Sequence, residues 1–394
     1  MEDMSRCVIK PEVSHKGFAS LAIPTYRAST IVFSDMEEYA ERGKRGLDGY
    51  SYGLHGTPTT KTLEAQISSL HRGEATVLLP SGQCAIAVIM LATLMPGQKV
   101  LIPDSAYPPV TGLCRNFLTP RGIDSIVYDP TMGEQIGSLI DADTKLVWLE
   151  SPGSTTMEVQ DFSAIARVAH EKGALVGCDN TWATPLLFKP LDHGADFAME
   201  ALTKYISGHS DLLMGSVTVK DQYLRKNMRD IMRMLGIGVS PDEASLVLRG
   251  METLAVRLKH SGQVAHRFAE ALDGIFPKGC VLHPALPSCP GHEHYKRDFA
   301  GASGVFSIIV PAQYEANVDR ALTDLKFFAI GASWGGTRSL VAPMSIKDNR
   351  VRENAHPGTI LRLSIGLEEP SELWSDIECM VTRLGLGQRA AIVA

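Results

Sequence analysis

The chain is 394 residues long, 44% hydrophobic, with 38 basic and 44 acidic residues that leave a net charge of −6. That length can bury the cores of two or three packed units, and charges of both signs interspersed with apolar runs argue against a disordered chain. The basic residues form no stripe that would follow a phosphate backbone, so nucleic acid is not an expected partner.

Taken in chain order, residues 1–11 are polar and mixed in charge, without the basic start and apolar core of a secretory signal. Residues up to about Thr57 are rich in Gly, Pro and polar side chains. They read as an N-terminal arm, residues 1–56, that packs on something other than its own sheet. Thr and Pro signals open a helix over residues 60–71. Short β-branched, apolar runs then recur at 76–79, 99–102, 125–128, 146–149, 175–178, 197–201 and 216–219. Helical stretches at 82–95 and 162–172 fall between them, the second with Asp161 as candidate cap and Gly173 as stop. This alternation predicts an α/β unit, residues 57–256, with a mostly parallel sheet covered on both faces. The apolar run 85–95 is eleven residues long, short of the roughly 20 that span a bilayer. Beyond residue 256 a second, smaller α/β pattern, 257–394, has strands at 304–310 and 359–365 and a helical segment at 314–325.

Seven dispersed cysteines with no Cys-x-x-Cys pair fit reduced thiols and a cytoplasmic location. No internal repeat or low-complexity tract is present.

Two residues carry most of the chemistry. Asp179 closes the run 175–178 and would sit at the carboxyl edge of the sheet, where open α/β sheets bind ligands. Lys204 follows the run 197–201 and precedes the polar stretch Ser207-Gly208-His209-Ser210-Asp211. A carboxylate and an amine on successive strand ends suit pyridoxal 5′-phosphate (PLP), whose ring nitrogen needs an acid and whose aldehyde needs an amine. Pro80-Ser81-Gly82-Gln83 turns from strand into helix, and free N–H groups at such a turn bind phosphate; the same turn also reads as an ordinary Ser-capped helix start. His292-Glu293-His294 has the residue types of a metal site but no further ligands in the sequence, so no metal is expected.

These features join Tyr50-Ser51-Tyr52-Gly53-Leu54-His55-Gly56-Thr57-Pro58-Thr59, Asp104-Ser105-Ala106-Tyr107, Glu150-Ser151-Pro152-Gly153-Ser154, Asp179-Asn180-Thr181-Trp182-Ala183-Thr184-Pro185, Thr203-Lys204-Tyr205 and Ser333-Trp334-Gly335-Gly336. In that order, from about residue 16 to residue 385, the chain resembles the Cys/Met-metabolism transsulfuration enzymes of fold type I, and the Ser-Trp-Gly-Gly block is similar to the cystathionine β-lyase branch.

The resemblance implies a PLP-dependent transferase-like fold: a large domain with a mostly parallel seven-stranded sheet, and a smaller C-terminal α/β domain. It implies that Lys204 carries PLP as a Schiff base and shuttles protons, that Asp179 keeps the ring nitrogen protonated, and that Tyr107 stacks on the ring. Gly82 and Gln83 amides and the Thr203 hydroxyl would hold the phosphate, which Tyr52 would reach from a neighbouring subunit of a homotetramer. Arg362, helped by Ser333 and flanked by Trp334, would take the substrate carboxylate; Lys204, Tyr107 and Tyr52 would be the catalytic side chains.

The implied reaction is β-elimination from L-cystathionine or a related cysteine S-conjugate, giving a thiol such as homocysteine, pyruvate and ammonia. A γ-acting relative and a weakly active PLP-binding protein are the alternatives. Three residues depart from the family pattern: Leu54 stands where relatives have an arginine on the cofactor phosphate, Ala201 where many have a serine, and Ala332 where β-lyases commonly have tyrosine and γ-acting enzymes glutamate.

Overall fold

The computed structural model describes residues 2–8, 14–346 and 358–387, so part of the 1–11 stretch and the end of the 257–394 segment lie outside the described residues. All seven of the expected runs of the first unit form strands: β1 (Ala75–Leu79), β2 (Lys99–Pro103), β3 (Asp124–Tyr128), β4 (Thr144–Glu150), β5 (Leu175–Asp179), β6 (Phe197–Ala201) and β7 (Gly215–Val219). They make one sheet in the order β1-β7-β6-β5-β4-β2-β3. β2, β3, β4, β5 and β6 run parallel, and β7 is antiparallel to both of its neighbours, β1 and β6.

Continuous apolar runs form these strands because both faces of the sheet are covered. Along β4, Leu146 and Trp148 pack into the cluster built on the helix Gly82–Thr93, while Val147 and Leu149 pack into the cluster of the opposite face, with Phe162 and Ile165 of the helix Phe162–Glu171. The period of two therefore sorts one strand between two cores. The first covering helix, Pro58–His71, starts two residues before the expected 60; Thr57 is its N-cap, and the Thr57 N–H donates to Thr60 Oγ1 at 2.8 Å. Gly173 ends the Phe162–Glu171 helix with φ of +79°. Asp161 does not cap that helix through its side chain. Its carboxylate instead takes Arg297 Nη2 at 2.9 Å, since a charged partner outcompetes a neutral amide.

The second sheet, β10-β11-β12-β9-β8, is built from β8 (Val281–Leu282), β9 (Val305–Ile309), β10 (Ala329–Ile330), β11 (Leu340–Met344) and β12 (Ile360–Ser364). The segment expected as one helix over 314–325 is a 3-10 turn, Ala312–Asn317, followed by a five-residue helix, Val318–Leu322. The helix Leu254–Asp273 runs unbroken through residue 256 and shares a buried cluster with the helix Pro370–Leu384 and with β9 and β12. No helix among the described residues is long and apolar enough to cross a membrane.

Two bonds tie the second sheet to the first beside Lys204. Trp182 Nε1 donates to Val305 O at 3.0 Å, and the Gly304 N–H donates to Tyr205 Oη at 2.8 Å. Arg257, on the long helix, donates to Tyr205 O at 2.8 Å and to Gly250 O at 2.7 Å.

The buried Asp376 holds the second sheet's outer corner: its carboxylate accepts the N–H groups of Lys326, Phe327 and Phe328 at 3.0, 2.7 and 3.0 Å. Replacing it with alanine strands three amides, each worth about 1 to 3 kcal/mol when buried without a partner. Asp376→Ala is expected to lower stability by about 3 kcal/mol, with Asp376→Asn intermediate, read from the urea midpoint. Equal midpoints for Ala and wild type would refute this anchoring role.

Candidate active site

Parallel strands deliver their carboxyl ends to one edge, and there the loops that follow β1, β2, β4, β5 and β6 converge on a cavity of about 220 Å³. Gly82, Tyr107, Asp179, Thr203, Lys204 and Arg362 are among the residues that line it. Strand register sets the positions: Glu150 of β4 lies opposite Asp179 of β5, and Asp179 opposite Met199 of β6. Lys204 comes three residues after the end of β6, where the Lys204 N–H donates to Ala201 O at 3.0 Å.

Lys204 Nζ donates to Ser333 Oγ at 2.8 Å and lies 5.3 Å from the centre of the Trp334 ring. Gly335, at φ +81°, lets the Ser333–Trp334 turn pass over Lys204; a Cβ there would lie 3.3 Å from Lys204 Cα and 2.9 Å from Tyr205 N. Burial first, and the Arg362 charge second, push the Lys204 amine down to about 8, against the opposing pull of Asp179. The titration of the amine is thereby moved toward physiological pH, so that an appreciable fraction is neutral there and able to act as a base or nucleophile.

Asp179 Oδ1 accepts the Thr181 N–H at 2.9 Å. Burial raises the Asp179 carboxyl, and the Thr181 hydrogen bonds and Lys204 oppose that rise. Its neighbour Glu150 has no cation beside it among the described residues: burial, then the Asp179 charge, raises it well above the usual range, and the Tyr107 N–H, donating to Oε2 at 2.6 Å, opposes this. Of two carboxyls side by side, Asp179 is the better placed to stay ionised and Glu150 to hold a proton. Glu150 also fixes the backbone of Tyr107, the residue that leads into the helix Pro108–Leu113.

At the β1 end, Ser81 caps the Gly82–Thr93 helix: its hydroxyl accepts from Cys84 N at 3.1 Å, and its carbonyl from Ala85 N at 3.0 Å. The Gly82 and Gln83 amides, which have no partner within the helix, remain as donors. Gly215 of β7 permits this turn, because a Cβ there would stand 2.4 Å from Ser81 O. The Thr203 hydroxyl lines the same end but is engaged with Met214, donating to its carbonyl at 3.2 Å and accepting its N–H at 3.0 Å.

Arg362 is buried in β12, and its guanidinium donates to Ala332 O. Ala332 lines the cavity beside Trp334. Of the residues expected in the site, Lys204, Asp179, Tyr107, Gly82, Gln83, Thr203, Ser333, Trp334 and Arg362 come together. Tyr52 does not: it is half exposed and lines a different cavity. Glu150 and Thr181 were not singled out in the sequence. The signal for Glu150 was its place at a strand end one β-α-β unit before Asp179.

Behind Asp179 lies a fully buried polar group. Asn180 Nδ2 donates to Glu200 Oε1 at 2.8 Å, and His71 Nε2 lies 3.3 Å from the same oxygen. Burial, then Lys189, pushes His71 down to about 3, and burial raises Glu200 well above its usual range, so both are held without charge. His292 and His294 sit on the helix His292–Asp298, where His292 Nδ1 pairs with Pro284 O at 2.9 Å.

The donor set fits PLP. An amine whose titration is moved toward physiological pH, a carboxylate within its electrostatic reach and uncapped helix amides are what an aldehyde, a pyridine nitrogen and a phosphate need, and they line one cavity at the carboxyl edge of an α/β sheet. Fold and site together define a PLP-dependent enzyme. The sequence matches the family of Cys/Met metabolism PLP-dependent enzymes over residues 6–381. It is 40% identical over 359 residues to a putative cystathionine beta-lyase of Rhizobium johnstonii, covering 90% of this chain and 89% of that one. It is 36% identical over 378 residues to the L-alanine/L-glutamate racemase of Wolbachia pipientis wMel, covering 93% of each. Among solved structures, cystathionine gamma synthase of Xanthomonas oryzae pv. oryzae superposes with a TM-score of 0.85 at 29% identity, over 94% of this chain and 95% of that one. The chain belongs to the Cys/Met metabolism PLP-dependent enzyme family.

The electrostatics of Lys204 can be read without turnover. In cofactor-free protein, amine acylation at Lys204, followed by mass spectrometry against pH, is expected to titrate near 8. Arg362 lowers this value and Asp179 raises it, so Arg362→Gln is expected to move it up and Asp179→Asn down. Shifts of the opposite sign would disprove the arrangement.

Proposed function

We propose that the chain cleaves the Cβ–S bond of L-cystathionine, or of a related cysteine S-conjugate, to a thiol such as homocysteine, pyruvate and ammonia. The observation that carries this reading is the Lys204 amine: brought down to about 8, bonded to Ser333 and facing one cavity with Asp179 and Arg362. When bound, PLP supplies an electron sink joined to the substrate through its amino nitrogen.

The residues divide the remaining work. Lys204 Nζ would hold the cofactor at its aldehyde and, when free, would take the Cα proton of the substrate. Asp179, ionised, would keep the ring nitrogen protonated. Tyr107, its backbone held by Glu150, would cover the ring. The Gly82 and Gln83 amides would hold the phosphate. Thr203 reaches the phosphate only by giving up its hydrogen bond to the Met214 carbonyl. Arg362 pairs with the substrate α-carboxylate through the guanidinium nitrogens not engaged by Ala332 O, helped by Ser333 and bounded by Trp334.

Tyr52 belongs to the cavity of a neighbouring copy in this reading. The segment that carries it, residues 1–56, exposes Phe18, Leu21, Val32 and Met36, an apolar display that a lone chain would not keep in water. We therefore propose a cytoplasmic homotetramer of two dimers with shared sites, with 57–256 as the PLP-binding domain and 257–394 as the small domain.

A second reading has its own support. Ala332 leaves the distal end of the cavity without the bulk or charge that would grip a second amino-acid head, and the Wolbachia relative is a racemase. Removal of the Cα proton by Lys204 on one face, with a proton returned by a second acid on the opposite face, would racemise alanine or glutamate. Incubation with L-cystathionine is expected to give pyruvate and homocysteine in equal amounts. 2-Oxobutyrate would assign a γ-acting enzyme instead, and conversion of L-alanine to D-alanine with no keto acid from cystathionine would assign a racemase.

A further inference from the structure

The two residues that follow Lys204 close a buried turn, in which the Ser207 N–H donates to Leu202 O at 3.0 Å and the Gly208 N–H to Lys204 O at 2.8 Å. The carbonyls of Tyr205 and Ile206 are left over. No backbone N–H among the described residues donates to either, and a buried carbonyl without a donor is costly.

Arg257 takes both. Its Nη1 donates to Tyr205 O at 2.8 Å, and its Nη2 reaches Ile206 O at 3.5 Å, the outer limit of a hydrogen bond. The same Nη2 donates to Gly250 O at 2.7 Å, and Nε to Thr253 Oγ1 at 3.0 Å. Every one of these partners is an uncharged oxygen. Burial lowers the Arg257 pKa, and no charged neighbour among the described residues opposes this. A cation kept inside a protein without a carboxylate needs another use for its donors, and here that use is the Lys204 turn. Space has been left for it: a Cβ on Gly208, at φ +73°, would lie 1.9 Å from Arg257 Nη1, and one on Gly250 would lie 2.2 Å from Ser207 O.

We propose that Arg257 is a positioning residue for Lys204: by capping the two carbonyls that follow the lysine, it fixes the turn from which the amine reaches Ser333 and the cavity. The planar fork suits this task, because its donors serve the turn, the helix Pro241–Met251 and Thr253 at once. The helix Leu254–Asp273, which carries Arg257, also packs in one buried cluster with β12, the strand of Arg362. Arg257 thereby ties the amine on the first sheet to the helix that supports the guanidinium on the second, and keeps the two at a set separation. The role rests on Lys204 as the cofactor-bearing amine proposed above, and it holds for cleavage and racemisation alike, since both begin with the proton on Cα.

The test compares the full-length wild type with Arg257→Met, Arg257→Lys and Thr253→Val. Arg257→Met keeps the length of the side chain without its donors; Thr253→Val removes the bond to Nε alone and is the milder change. Three readouts are taken: acylation of Lys204 against pH in cofactor-stripped protein, absorbance of the lysine–cofactor adduct in loaded protein, and exchange of the Cα proton of L-alanine and L-cystathionine in heavy water. Burial is the main cause of the low Lys204 value, so a loosened turn in Arg257→Met is expected to raise its titration from about 8 toward the ordinary lysine range. Exchange at saturating amino acid is expected to fall on the order of tenfold, with half-saturation changed by less than about twofold. Arg257→Lys recovers part of both effects, and Thr253→Val shows smaller shifts of the same sign. A merely structural role would lower the urea midpoint and leave the titration, the adduct absorbance and the exchange rate of the folded protein as in wild type. That result in Arg257→Met, or in Thr253→Val where Arg257→Met does not fold, would overturn the proposal. Lys204→Ala serves as the control: retention of the adduct absorbance in that variant would refute the assignment of Lys204 itself, an outcome separate from the failure of Arg257.

Discussion

The parallel pairing of β4, β5 and β6 is the constraint on which the site depends. Register places Glu150 and Asp179 side by side at one edge and stops β6 three residues short of Lys204. A slip of one residue in β5 would turn Asp179 toward the opposite face and leave the amine facing Arg362 alone. Because both faces of this sheet are packed, such a slip would also exchange the residues of two cores, so the energy that fixes the fold also fixes the charge pattern of the cavity.

Around that edge, desolvation is used selectively. Burial acts on Lys204, Asp179, Glu150, Glu200 and His71 alike, pushing each toward its neutral form. What separates them is their partners. Asp179 has Thr181 hydrogen bonds and the Lys204 charge in its favour. Glu150 has one amide and a neighbouring carboxylate against it. Glu200 has the Asn180 amide and lies 3.3 Å from His71, and both remain uncharged behind the sheet. The result is that, among these groups at the sheet edge, charge is left to Asp179 and Lys204, with Arg362 beside them.

What the sequence disclosed follows from how local each feature is. The seven strands of the first sheet were legible because strands buried on both faces are written as continuous β-branched runs, Asp179 because it directly follows such a run, and Lys204 because it comes three residues after one. β8 and β10 were not, since two residues carry no period. The segment 314–325 has helical composition, but the chain tightens into a 3-10 turn before the short helix Val318–Leu322. Asp161 looked like a helix cap because capping is a local pattern, whereas the Arg297 that captures it lies 136 residues away. Glu150 was quoted within a motif, but its role as the anchor of Tyr107 is a contact across 43 residues that no spacing announces.

The same distinction applies to the departures at Leu54, Ala201 and Ala332. A sequence read position by position registers each as a loss. In three dimensions a charge need not come from the position where relatives place it, only from within reach of the same space. Leu54 shares its cavity wall with Arg229 and Arg233, about 175 residues further along the chain, so cations line that wall without an arginine at position 54. Ala201 has no such substitute: its N–H donates to Thr181 Oγ1, and its methyl sits where a Cβ on Gly82 would come within 2.8 Å, which keeps the helix turn close to the sheet. A larger side chain at 201 would push the Gly82 and Gln83 amides outward. Ala201 is thus a packing condition of the turn that presents the Gly82 and Gln83 amides.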